Sequence, residues 1–228
     1  MEGIYSRNGA YYVEGLVYKN GVFLESAGLF GSSEIHYLKL NEEKMTVDKT
    51  KSYKIDKIFA EGTDYFTDKD GKEVIYMLTY QNRHIYKFDT EFNLLDSSIP
   101  MPAEVHEGWG MTHDPENPNI AIISDGTERV YFCDTLDNFK VTKFITIKNE
   151  RGYNQYYVNE LEFVDGYLWA NIFMTTQIVK IDPKTGQIVK TLDFKSLFDF
   201  ATKYSKSVLS RDMAYDDLLN GIAYNKEE

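Results

Sequence analysis

An all-β radial repeat is the fold class this sequence predicts, and composition, turn chemistry and period each point to it. Tyr and Phe supply 18 and 14 of the 228 residues, against 5 Pro, and aromatic rings suit a pleated, half-buried surface. Short apolar runs bounded by Gly, Asn and Asp recur throughout, without the strand–helix alternation of a parallel sheet. One small pattern returns five times: a leading residue, Gly or Glu, an apolar residue, any residue, then an aromatic ring or His. Its copies are Glu14-Gly15-Leu16-Val17-Tyr18, Glu61-Gly62-Thr63-Asp64-Tyr65, Trp109-Gly110-Met111-Thr112-His113, Asn159-Glu160-Leu161-Glu162-Phe163 and Asn220-Gly221-Ile222-Ala223-Tyr224, with Thr63 breaking the apolar slot. Their first residues stand 47, 48, 50 and 61 positions apart, which is the length a four-stranded blade requires. The expectation is a five-bladed β-propeller, one domain over residues 1–228, whose fifth blade is left incomplete because the chain stops eight residues after Asn220.

The elements follow in order. Leu16-Val17-Tyr18 and Val22-Phe23-Leu24 flank Asn20-Gly21, a hairpin signal because both turn residues tolerate positive φ. Gly28 to Gly31 reads as a loop, 34–40 as a strand, and a polar strand leads towards Ile58. In the second unit Asp68-Lys69-Asp70-Gly71 turns into a strand over 73–80, then 84–89 and 94–96. The third offers 120–125, 130–134 and 141–147, and the fourth 164–171, 178–182 and, past the Pro183-Lys184-Thr185-Gly186 turn, 188–192. Each unit thus has an inner strand, two middle strands and an outer one. The longer fourth spacing fits one short helical insertion at 196–209, N-capped by Ser196, with Leu197, Phe198 and Ala201 at helical spacing.

Net charge narrows the partners. At −11, with a pI near 4.9, the chain lacks the basic footprint of a nucleic-acid binder. It has no apolar run near the ~20 residues that cross a bilayer, and Met1 to Arg7 is no secretory leader. A monomer is expected, and its location is left open between the cytoplasm and a truncated secreted precursor. Cys133, the single cysteine, reads as a small apolar strand residue. His36, His84, His106 and His113 show no metal-ligand spacing, and no metal or other cofactor is expected.

In a radial repeat, equivalent positions lie at similar heights around one axis. Glu14, Glu61, Trp109, Asn159 and Asn220 should therefore meet at one mouth of the central channel. Two carboxylates, an indole and two amides are a mixed set suited to a ligand; the alternative is that they only satisfy backbone groups there.

Several segments resemble the plant and bacterial glutaminyl-peptide cyclotransferases. They are Glu14-Gly15-Leu16-Val17-Tyr18, Phe59-Ala60-Glu61-Gly62, Glu107-Gly108-Trp109-Gly110, Asn159-Glu160-Leu161-Glu162 and Leu219-Asn220-Gly221-Ile222, in the family's order along nearly the whole chain. The resemblance implies a metal-independent, five-bladed propeller that converts N-terminal Gln of peptides or proteins to pyroglutamate and releases ammonia. By the same resemblance Glu61 shuttles the proton, Phe59 and Trp109 exclude water, and Asn159 bonds the substrate amide. Tyr12 and Glu14 stand where the family has Phe and Gln, and Tyr80 and Phe173 where it has tryptophan. The family's closing lysine segment is absent. Facing carboxyl groups at Glu14 and Glu61 should raise at least one pKa. Two other readings are a propeller that binds peptide ends without turning them over and a calcium-dependent, lactonase-like hydrolase; the shortage of convergent acids argues against the latter.

Overall fold

Sixteen strands form four antiparallel sheets in this computed structural model, which describes residues 3–7, 12–208 and 218–226. Blade 1 holds β1 (Tyr12–Lys19), β2 (Val22–Gly28), β3 (Ser33–Asn41) and β4 (Thr46–Ile55). Blade 2 holds β5 (Ala60–Thr67), β6 (Glu73–Thr79), β7 (His84–Asp89) and β8 (Leu94–Pro100). Blade 3 comprises β9 (Met111–His113), β10 (Ile120–Ser124), β11 (Arg129–Asp134) and β12 (Lys140–Thr146), and blade 4 β13 (Val158–Val164), β14 (Tyr167–Ile172), β15 (Gln177–Ile181) and β16 (Ile188–Asp193). Each sheet is a simple meander, ordered in space as in sequence. The turn at Asn20 and Gly21 has φ of 50° and 76°, the two positive values a type I′ hairpin demands.

Among the described residues no fifth sheet forms, which corrects the five-bladed expectation to four blades. Beyond β16 those residues form one helix, α1 (Lys195–Val208), and a segment over 218–226 that joins no sheet. The repeated pattern marks where the chain enters the axis, and Asn220 does enter it. Residues 218–226 pair with no second strand, so five entries yield four sheets. The helix begins one residue earlier than expected. Its first N–H, on Lys195, is bonded by Asp193 Oδ1 at 2.9 Å, the partner expected of Ser196.

The core lies between blades. On β6, Val74, Tyr76 and Leu78 pack towards blade 3 while Ile75 and Met77 pack towards blade 1. Both faces are buried, which is why the strand reads as a continuous apolar run rather than an alternation. Ile123 and Ile122 divide the same way, towards blades 2 and 4. Cys133 is buried in the blade 2–3 layer, where burial pushes its thiol up to about 12. His36 is buried against Glu25 at 2.8 Å and His113 pairs with Asp64 at 2.7 Å, while His84 and His106 are exposed.

Between blades 4 and 1 the segment 218–226 takes the place of a sheet-on-sheet layer. Glu160, buried on β13, accepts the backbone N–H groups of Ile222 at 2.8 Å and Leu16 at 3.3 Å. The second position of the repeat explains this exception. A Cβ at Gly15, Gly62 or Gly110 would lie 2.5, 2.4 or 2.3 Å from backbone of the next inner strand. Only glycine permits that approach. In the fourth copy the neighbour is not a strand, and a carboxylate fills the gap.

Candidate active site

Local irregularity in the inner strands positions the site. β1, β5 and β13 each break register beside the leading residue of the repeat, between Val13 and Gly15, Ala60 and Thr63, and Val158 and Leu161. Such bulges re-aim a side chain out of the pleat, here into the axis. In blade 3 the equivalent residues, Trp109 and Gly110, precede β9. Middle-strand hydroxyls fix the bulges from the neighbouring blade. Ser26 Oγ donates to the Glu61 carbonyl at 2.6 Å, and Ser124 Oγ to the Asn159 carbonyl at 2.7 Å.

These elements enclose a cavity of about 210 Å³ lined by Glu14, Phe30, Phe59, Glu61, Tyr80, Trp109, Asn159 and Phe173. Seven of the residues expected from the sequence therefore meet. Tyr12, opposite Gly28 at the start of β1, stays outside the lining. Asn220 lies behind it, donating to the Val13 carbonyl at 2.6 Å and Glu14 Oε2 at 3.0 Å, and accepting from Asn159 Nδ2 at 3.2 Å.

The walls are aromatic. Phe30 meets Phe59 edge-on at 5.5 Å between centroids, Phe59 lies 6.0 Å from Tyr80, and Trp109 meets Phe173 at 5.4 Å. Two glycines make room for them: a Cβ on Gly28 would lie 2.0 Å from the Phe59 ring, and one on Gly126 2.5 Å from the Trp109 indole.

Two contributors escaped the sequence reading. Phe30 sits in the Gly28 to Gly31 loop, and its apolar side chain between glycines was the available signal. Glu107 accepts the Trp109 indole N–H at 3.2 Å and a Gln81 amide proton at 3.1 Å, and after burial its charge is the next cause raising the Tyr80 hydroxyl's pKa. An acid two residues before the site tryptophan was visible, but its reach was not.

The electrostatics follow from burial. Glu61 is only 6% exposed. Desolvation first, then the charges of Glu14 and Glu107, hold its carboxyl well above the usual range. Burial likewise pushes Glu14 up to about 8, against the lowering effect of the Asn220 amide. Three carboxyl groups in and around a largely aromatic cavity favour a cationic group when ionised, and a buried carboxyl with a raised pKa suits a group that takes and returns a proton.

A propeller with an acid-and-aromatic pocket at its axis is the class so defined, and the particular family is now evident. The chain belongs to the glutamine cyclotransferase family, whose profile matches residues 3–228. It is 27% identical over 220 residues to the glutaminyl-peptide cyclotransferase of Arabidopsis thaliana, an alignment covering 95% of this chain and 61% of that protein. The chain thus spans about three fifths of the length of this relative. The structure of the Myxococcus xanthus glutaminyl cyclase superposes with a TM-score of 0.77 at 25% identity, covering 98% of this chain and 85% of that one. A Bacteroides caccae protein of unknown function shares the fold, with a TM-score of 0.54 at 13% identity over 81% of this chain and 68% of that one.

Proposed function

We propose that this chain is a glutaminyl-peptide cyclotransferase, acting on peptides or proteins that begin with glutamine. The observation that carries the reading is the Glu61 carboxyl, buried at the base of repeat-built walls with Trp109 and Asn159 across the same cavity. The α-amine nitrogen of the substrate attacks its own γ-amide carbon. A ring C–N bond forms, the bond to the amide nitrogen breaks, and ammonia leaves. Because nucleophile and electrophile belong to one residue, the site needs only to hold the side chain folded back on itself. The proton lost by the α-amine is taken by Glu61 and returned to the departing nitrogen. Asn159 bonds the substrate amide, while Phe59, Tyr80, Trp109 and Phe173 keep water away, which strengthens the polar contacts inside.

Ammonia release from a Gln-initiated dipeptide tests the reading. Release that persists with a chelator and falls by roughly 100-fold or more in Glu61→Gln is the expected result; full activity in that variant would sink it. A second reading, a propeller that captures peptide N-termini without turnover, draws on Tyr80 and Phe173, smaller than the tryptophans the family resemblance leads one to expect. Peptide binding without ammonia supports that reading instead.

A further inference from the structure

The cavity is too small for a peptide. At about 210 Å³ it falls below the roughly 300–1,000 Å³ that drug-sized ligands fill, so it houses one residue and everything after that residue must leave through the mouth. The mouth is flanked by large apolar side chains that the fold does not bury. Phe30, on the blade 1 side, is 58% exposed although it lines the cavity and packs on Phe59. Beside the mouth on the blade 4 side, Tyr157 and Met174, the latter also lining a neighbouring cavity with Phe198 and Leu219, are 57% and 46% exposed. They bracket the lining residue Phe173, whose backbone N–H is bonded by the Tyr157 carbonyl at 2.9 Å.

Tyr157 and Met174 also share an unfavourable backbone. Their φ values are 64° and 63°, a region that glycine enters freely and bulky residues at a cost of about 1–3 kcal/mol. About half of each side chain stays in solvent, so burial offsets that cost only in part. Glycine would adopt both conformations without strain, yet large side chains stand there, next to the lining residue Phe173.

We propose that Phe30, Tyr157 and Met174 form an apolar rim that receives the second and third residues of the peptide whose first residue fills the cavity, and that it favours large apolar side chains there. The inference rests on the cyclotransferase reading for its occupant, an extended peptide entering by its N-terminus. Tyrosine and methionine suit such a rim, since one offers a rigid amphipathic face and the other an adaptable thioether.

The experiment compares Gln-Gly-Gly-amide with Gln-Phe-Phe-amide in the wild-type chain and in the double variant Tyr157→Gly/Met174→Gly. Glycine adopts both φ values without strain, so the variant removes the side chains and leaves the loops in place. The expected kcat/KM for the Phe peptide is about tenfold higher than for the Gly peptide in wild type, shrinking to roughly threefold or less in the variant. Equal turnover of both peptides by wild type, or a preference that survives in the variant, overturns the rim and leaves the cyclotransferase reading standing. Should neither peptide release ammonia, that reading fails, and the rim is judged from the anisotropy of the same peptides labelled at their C-termini. The same tenfold ratio in binding, lost in the variant, supports it; equal or absent binding overturns it.

Discussion

Asn220 and Glu14, 206 residues apart in sequence, meet at 3.0 Å, amide nitrogen to carboxylate oxygen. The same amide nitrogen donates to the Val13 carbonyl at 2.6 Å, and the Asn220 carbonyl accepts from Asn159 at 3.2 Å. One side chain from a segment that joins no sheet therefore ties blade 1 to blade 4 behind the cavity. Asn220→Ala removes all three bonds and leaves the Val13 carbonyl and the partly buried Glu14 carboxyl without that partner. The expected loss is about 2–3 kcal/mol, seen as a fall in Tm of roughly 4–10 °C. Unchanged melting would mean that the segment does not hold the ring.

Stability should fall as the solution turns alkaline. Glu14, Glu61, Glu160 and Glu162 all have folded-state pKa values raised chiefly by burial. Between their ordinary unfolded value and the raised one, the folded chain binds more protons than the unfolded chain, so ionisation favours unfolding. The penalty begins above roughly pH 4.5, grows by at most about 1.4 kcal/mol per pH unit for each group, and for Glu14 levels off past about 8. Urea midpoints measured from pH 5 to 8 should decline, and Glu14→Gln should flatten the decline. A rising midpoint over that window contradicts the assignment.

The same two carboxyl groups set an activity profile. The charge of Glu14 is the second cause, after burial, holding the Glu61 pKa up. Glu14→Gln removes it, so the limb of the pH–rate profile belonging to Glu61 moves towards acid while the other limb stays. An unshifted limb in kcat/KM would separate the two groups and show that they do not interact.

Much of this site was legible because the repeat has a physical cause. Glycine recurs at positions 15, 62 and 110 since the next inner strand passes within 2.5 Å of where a Cβ would sit, and the residue before each glycine is the one delivered to the axis. That logic found Glu14, Glu61 and Trp109, and the matching place in the repeat, before Glu160, found Asn159, without any contact being known. It misled on the blade count, since entry to the axis does not require a sheet behind it, as Asn220 shows. It could not find Phe30 or Glu107, which reach the site from connections between strands, where spacing carries no period. Tyr12 was assigned by the family resemblance, and the bulge between Val13 and Gly15 breaks the alternation that would put it on the same face as Glu14.

Glu107 offers the sharpest separation of charge from position. It anchors the Trp109 indole at 3.2 Å, and its charge is the third cause of the raised Glu61 pKa. Glu107→Ala loses both effects: the indole is freed, so KM for a Gln dipeptide should rise about 5–20-fold, and the tryptophan emission should shift to the red. Those magnitudes correspond to about 1–1.8 kcal/mol, the loss of roughly one hydrogen bond. Glu107→Gln keeps an acceptor for the indole and removes the charge. It should restore KM and emission to near wild type while leaving the Glu61 limb displaced towards acid. A merely structural glutamate would show no such division, because both variants would then differ from wild type in stability alone.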